Sequence, residues 1–408
     1  MSFTSDGSRW SDVYLAAAGR AISVCGDFLA ATTLALVLQQ SGHGGMAVSG
    51  LLVAASLPIT LLAAPAGRLV DRADSRTLLI LMGFAQAAVC AALAFTTHPV
   101  LIVALVALLS CGLAVTQPTF AALLPGMVRS ADLAKASGIV QTAGQIGMLA
   151  APALAGILVG LTGPRVPLLL DAASYLALVV IGLLIRTRRG AATGKTAGSV
   201  PFRLRTDRSL TVMTVAVAAV VAGVNAVNVF EVFFIRDTLG ASTAVYGFVM
   251  ASWTVGMLAG SLVVGRVPRR RLTLRVVLAL LAASCLAVLA GASVQSAGWL
   301  IPLWILGGVA NGALNVCTTV MIAGRVPAEA HGRAFSAYGA AVQGAGLLGL
   351  IVAGPLADQF DPRVLVAGAG VLGVTAALAC VPLVRRDREE QAGEMSAPAG
   401  SSKPSAAI

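Results

Sequence analysis

Along most of this chain, apolar runs alternate with short polar breaks. Residues 77–128 hold no Asp, Glu, Lys or Arg across 52 positions, and residues 276–324 hold none across 49. One membrane crossing needs about 20 apolar residues, so each run is long enough for two crossings joined by a polar turn. The turns fall at TTHP (96–99) and QSAG (295–298). The same reading along the whole chain predicts twelve spans, at 13–38, 46–66, 77–96, 100–123, 136–161, 167–185, 209–234, 244–265, 276–294, 299–323, 335–357 and 364–384. Each should be an α-helix, because lipid offers backbone groups no hydrogen-bond partner and every span must satisfy its own. The expected fold class is an all-α polytopic membrane protein.

Composition agrees. Of 408 residues, 58% are hydrophobic and 11% charged, against about 25% charged in a soluble globular protein. With the N-terminus placed inside, 24 of the 28 basic residues fall in cytoplasmic segments. Outer loops hold Arg165, Arg236 and Arg363, and Arg20 lies within the first span. This asymmetry satisfies the positive-inside rule and predicts a multi-pass protein of the cytoplasmic membrane with both termini cytoplasmic. It also accounts for the net charge of +11 without nucleic acid; anionic lipid headgroups are the expected partner of the basic loops. The six cysteines lie inside apolar spans with no paired spacing, as small packing residues would, and the three histidines sit in loops or at span ends with no metal-ligating pattern. The first span is too long for a cleaved signal peptide. Residues 385–408 turn polar and then rich in Ala, Ser, Pro and Gly, the composition of a disordered tail.

An internal repeat follows. Gly67-Arg68 and Gly265-Arg266 close equivalent spans 198 residues apart, and VRSADLAKAS from Val128 and VPAEAHGRAFS from Val326 share that offset. The chain therefore divides into an N-terminal six-helix half (1–185), a basic cytoplasmic linker (186–208), a C-terminal six-helix half (209–384) and the tail. Parallel six-helix halves enclosing a midplane substrate site are an architecture of secondary transporters. A GAATGKT stretch at 190–196 is one residue short of a phosphate-binding loop and lacks the flanking strand and helix, so neither nucleotide hydrolysis nor other enzyme chemistry is expected.

GRLVDRADSRTLL (67–79) resembles the loop signature of the major facilitator superfamily between spans two and three, with Asp74 where glycine is usual and Ser75 where arginine is usual. The resemblance implies a major facilitator fold and a gating latch formed by Gly67, Asp71, Arg72 and Arg76, to which Arg20 is added as an anchor or gating residue. Gly67 would let the helix end turn tightly. The second-half counterpart, GRVPRRRLTL, keeps Gly-Arg but has no aspartate. In span five, Gly138, Gly147, Pro152 and Gly156 resemble the pattern of antiporters of the superfamily, with alanine at 151 and 155; small residues there let helices approach closely. The stretches SVCGDFLAATTLAL, LPITLLAAPAGRLVDR and LLLDAASYLAL are similar to the multidrug and macrolide efflux and enterobactin-type siderophore exporter branch. An arginine of span four known in the superfamily is absent, and Gln117 stands in that region.

Ionisable groups inside a membrane are costly and therefore functional candidates. Asp27 lies near the midplane by residue count, too deep to reach water without a cavity, and is the leading proton-coupling candidate; Asn225 stands 198 residues on. Glu231, near the outer end of span seven, is the second, as a cavity or an interface residue. Asp171, one turn into span six, suits a structural role at a helix N-terminus, and Asp358 an interfacial one. Gln141 with Gln145, Asn225 with Asn228, and Asn311 with Asn315 share helix faces, either lining a substrate cavity or joining helices. Phe230, Trp253 and Trp304 are the aromatic candidates for stacking on cargo. The expected function is secondary active, proton-coupled export of a small amphipathic or hydrophobic compound such as a drug, macrolide, siderophore or other natural product. The transmembrane proton gradient would be the energy source, with no cofactor and no metal, and the chain would work as a monomer. An uptake symporter, a lipid-like flippase and a non-transporting receptor or scaffold are the alternatives.

Overall fold

The structure, a computed structural model, describes residues 8–129, 131–185, 208–268, 271–326 and 330–380. Most of the linker (186–207), the tail from 381, the GAATGKT stretch, Arg269 and Arg270 lie outside the described residues. Twelve helices are long and apolar enough to cross a membrane, and no strand occurs among the described residues. They are α1 (Trp10–Gln40), α2 (Gly44–Arg72), α3 (Ser75–Ala94), α4 (Pro99–Met127), α5 (Leu133–Thr162), α6 (Arg165–Leu184), α7 (Arg208–Phe233), α8 (Thr243–Gly265), α9 (Leu274–Ala292), α10 (Leu300–Arg325), α11 (His331–Gln359) and α12 (Pro362–Ala379). Each expected span has its helix.

Several helices outrun their apolar stretch. At about 1.5 Å per residue, the 31 residues of α1 and the 29 of α2 exceed a hydrocarbon core about 30 Å thick. The extension of α2 corrects one expectation: Gly67, Arg68, Asp71 and Arg72 form its last turns rather than a loop. Gly67 has no positive φ and an added Cβ would meet nothing within 4 Å, so it makes no tight turn. The turn comes later, at Ala73 and Asp74, where the Asp74 carboxylate accepts from the Thr77 backbone N–H at 3.2 Å and caps α3. The departure from glycine at this position thus has a local structural use.

Packing repeats between the halves. α1 packs on α5 and α6, α2 on α4, and α3 on α4 and α6; six helices later, α7 packs on α11 and α12, α8 on α10, and α9 on α10 and α12. The principal contacts between halves, α2 with α11 and α5 with α8, exchange under the same shift. The chain is therefore two pseudo-symmetric six-helix halves.

Within the C-terminal half, α8 and α10 touch backbone to backbone. A Cβ on Gly256 or Gly260 would strike the carbonyl oxygens of Ile305 or Val309, and one on Gly308 or Gly312 those of Trp253 or Met257. In lipid such contact supplies dispersion that the hydrophobic effect cannot.

The apolar core is joined at one face only. Its largest cluster combines Leu34, Leu38, Val48 and Ile102 of the N-terminal half with Phe230, Phe234, Val249, Leu300 and Leu350 of the C-terminal half. All of these lie toward the face where α1 ends. Toward the other face, the clusters around Leu79, Leu123 and Ile181 and around Leu210, Leu278 and Ile322 each belong to a single half. That second face carries Arg68, Arg72, Arg76, Arg129, Arg266, Arg271, Arg325 and Arg333 and is called the basic face below. The clustered apolar core thus joins the halves at the opposite face, and toward the basic face each half keeps its own cluster.

Gly308→Val should lower the stability of the purified protein by about 1–3 kcal/mol, the usual cost of forcing atoms into a close-packed contact. Gly339→Val, where an added Cβ meets nothing within 4 Å, should change it by less than about 0.5 kcal/mol. Thermal unfolding of the two variants in detergent measures the contrast.

Candidate functional site

A cavity of about 480 Å³ lies between the halves, set mainly against the C-terminal one. α7 contributes Asn225, Asn228 and Glu231; α8 contributes Trp253 and Met257; α10 contributes Trp304, Asn311 and Asn315; α11 contributes Tyr338 and Gln343. The N-terminal half supplies Phe28 and Thr32 from α1 and Met148 and Pro152 from α5. The asparagines pair locally: Asn228 Nδ2 donates to Asn225 Oδ1 at 3.3 Å, and Asn315 Nδ2 donates to Asn311 Oδ1 at 3.2 Å. Trp253 and Trp304 meet edge to face, their centroids 6.4 Å apart. Glu231 is 4% exposed, lies beside the Trp304 side chain and is the one charged residue on the described wall.

A smaller chamber of about 370 Å³ shares Met257 and Asn315 with this cavity and adds Gln145, Ser261 and Thr319. Placement corrects two expectations. Phe230, 3% exposed, is buried in the core joining the halves and is absent from the cavity wall, because the helical turn that aims Glu231 inward aims its neighbour outward. Gln141 is exposed and lines neither chamber, so only Gln145 of that pair does.

Asp27 is half-buried and does not line the described cavity. Its Oδ1 accepts from Tyr175 Oη at 2.5 Å, and Arg20 lies close enough to act on it electrostatically. Next to it Asp171, wholly buried, accepts from Cys90 Sγ at 3.0 Å and Ser174 Oγ at 3.2 Å. Asp27 and Asp171 are electrostatic neighbours. Gly26 makes the approach possible, since a Cβ there would strike Asp171 Oδ1 and Ser174 Oγ. Asp171 is therefore not a helix-end residue but part of a buried polar cluster joining α1, α3 and α6. Sequence reasoning overlooked Tyr175 and Cys90. The available signal was the four-residue spacing of Asp171 and Tyr175, which puts both on one face of span six.

The span-five motif divides its work. Gly147 packs against the Ala21 carbonyl and the Cys25 amide of α1, while Gly156 packs against Thr243 of α8 and Gly247 against the Pro152 carbonyl. Gly138 is exposed and meets nothing within 4 Å. In the expected latch, Arg76 Nη2 donates to the Leu183 carbonyl of α6 at 2.8 Å, within its own half.

The opposite face is sealed by three contacts between halves. Asp358 of α11 accepts from the Gly45 and Met46 backbone N–H groups, at 2.5 and 3.2 Å, capping α2 from across the interface. Ser49 Oγ donates to the Leu350 carbonyl at 2.5 Å, and Gln39 Nε2 donates to Asp237 Oδ1 at 2.7 Å. Gln39 and Asp237 are 198 residues apart and so occupy equivalent positions in the two halves. Asp358 is thus an interhelical cap rather than a merely interfacial charge. No group of three or more His, Cys, Asp or Glu suited to a metal occurs among the described residues.

Residues 14–402 match the transmembrane secretion effector family. The chain belongs to that family, within the major facilitator superfamily. No functionally curated protein matches it significantly. Among solved structures, the nucleoside transporter NupG superposes with a TM-score of 0.74 at 16% identity, covering 91% of this chain and 99% of that one. A bacterial homologue of the human lysosomal transporter Spinster, inward-facing and occupied, gives 0.72 at 15% identity over 91% and 96%. At these identities the likeness carries the fold alone. The protein is a multi-pass membrane transporter of the major facilitator superfamily.

In a background with the native cysteines replaced, Asn315→Cys should react with a bulky, water-soluble maleimide reaching it from the basic face. Ser49→Cys, beneath the sealed face, should stay unmodified from either side until denaturant is added.

Proposed function

We propose that the protein is a proton-coupled exporter of a small amphipathic compound, caught in a state open to the cytoplasm. The observation that carries this reading is the cavity between the halves, which joins aromatic rings, amide pairs and one buried carboxylate while the face opposite the basic one is closed. By the positive-inside rule the basic face is cytoplasmic, so cargo would reach the cavity from inside the cell. Aromatic and apolar walls suit the hydrophobic body of such a compound, and the asparagines supply adaptable polar contacts.

Asp27 and Glu231 are the proposed proton-coupling groups. A charged carboxylate in a dry membrane interior is costly unless it gains a proton or a cation, so each can take up a proton in one access state and release it in the other. Tyr175 holds Asp27 in place through its hydroxyl. In the proposed cycle the Asp358–α2 and Gln39–Asp237 contacts break as the outer face opens, and Asp71, Arg72 and Arg20 serve on the cytoplasmic side as that face closes. The protein is proposed to act as a monomer in the cytoplasmic membrane.

Everted vesicles with an acidic lumen test the coupling. With a panel of a macrolide, a lipophilic dye and a catecholate siderophore, at least one compound should accumulate when the pH gradient is imposed and leave when it is collapsed. Asp27→Asn should reduce gradient-driven accumulation to the level of vesicles lacking the protein, while exchange of cargo across a vesicle with no gradient persists. Accumulation by Asp27→Asn equal to that of the wild type would exclude Asp27 as a coupling group.

A further inference from the structure

The proposed export reading leaves open which compounds the cavity accepts, and its electrostatics narrow the choice. Twenty-three described residues line it, and Glu231 alone among them carries a charge; none of them is a lysine or arginine. The same cavity is lined by aromatic side chains from four helices: Phe28 of α1, Trp253 of α8, Trp304 of α10 and, toward the basic face, Tyr338 of α11. Trp304 lies beside Glu231 and meets Trp253 edge to face. The remaining polar lining is uncharged, chiefly the two asparagine pairs and Gln343.

Each feature acts in the same direction. An anion entering here would meet a carboxylate and the negative faces of aromatic rings, with no cation to compensate it. A cation would meet an opposite charge in a low-dielectric site, where attraction is stronger than in water, and ring faces that attract it further. The volume of about 480 Å³ falls within the range of drug-sized sites, about 300–1,000 Å³. Glu231 sits on the wall beside an indole, with no guanidinium or ammonium group among the described lining residues.

We infer that the cavity selects monovalent amphipathic cations, with Glu231 as the charge-selecting residue and Trp253 as the ring surface that receives the cationic group. This rests on the export reading, because the cation and the proton become alternative occupants of Glu231. When a cation binds, the proton leaves the carboxylate and the wall stays neutral overall; when the cation departs, a proton can return. Anionic compounds, catecholate siderophores among them, are then excluded from the cargo of this protein.

The probe pair is tetraphenylphosphonium and tetraphenylborate, which share a shape and differ in charge. Binding is measured by equilibrium dialysis with the full chain in phosphatidylcholine nanodiscs, empty nanodiscs being subtracted and no gradient being present. The wild type should bind tetraphenylphosphonium and show no tetraphenylborate binding above empty discs. Glu231→Gln should weaken phosphonium binding at least about tenfold, and Glu231→Asp should restore most of it, which a purely structural role for the side chain would not produce. If Glu231→Gln fails to fold, Trp253→Ala serves instead, with an expected loss between about twofold and thirtyfold. Equal binding of the two probes, or phosphonium binding unchanged in Glu231→Gln, would overturn the inference. Because no gradient is used, charge-selective binding without gradient-driven accumulation in everted vesicles would keep the cation site and reject proton coupling. Accumulation of an anionic cargo with Glu231-independent binding would do the reverse.

Discussion

The structure depends on how two helical halves hold together in a solvent that gives no hydrophobic drive for helices to associate. Lipid tails are as apolar as leucine, so the join must come from backbone contact and polar pairing. It is concentrated at one face. There Gly156 and Gly247 let α5 and α8 touch, the Asp358 carboxylate caps α2 from the other half, and Ser49 reaches a carbonyl of α11. Toward the basic face, the clustered core belongs to each half separately. On the proposed reading, a molecule whose shared core lies at one end can keep one access route shut while the other is open, as alternating access requires.

Pseudo-symmetry explains why the same contacts can give way together. The offset of 198 residues relates Gln39 to Asp237, which bond directly. It also relates Gly45 to Thr243 and Gly160 to Asp358, the partners at the two junctions that close the opposite face. The junctions are related in position but not in chemistry: one is a carboxylate on a helix terminus, the other a close approach of a glycine to a threonine hydroxyl. A duplicated framework thus fixes where the halves touch, and divergence of side chains sets how firmly.

The chemistry has diverged as well. In the N-terminal half, Tyr175 donates to the half-buried Asp27 and Cys90 to the buried Asp171, two neighbouring pairs that lie off the described cavity. In the C-terminal half, Glu231 and the asparagine pairs face an open cavity. The counterpart of Asp27 is Asn225, which lines that cavity and packs against Gly346. At this one position the N-terminal half thus keeps a carboxylate and the C-terminal half an amide, the carboxylate of the cavity wall being Glu231 instead. On the proposed reading, proton handling and cargo recognition are thereby distributed between halves that move relative to each other.

Much of this was written in the order of residues. The twelve spans follow from apolar length alone, because an unpaired backbone in lipid excludes everything but helices and closed barrels, and the duplication shows in landmarks one offset apart. That Glu231, Trp253, Trp304 and four asparagines would line one cavity could be suspected from their depth and spacing. Four features needed the tertiary structure. Neighbouring helices turn Asp27 toward Tyr175, make Asp171 a buried partner rather than a helix-end residue, and turn Phe230 into the core while Glu231 meets the cavity. The fourth is the Asp358 carboxylate reaching Gly45, a contact between residues 313 positions apart. Helix periodicity says which side chains share a face; which neighbour that face meets is set by packing across the whole chain.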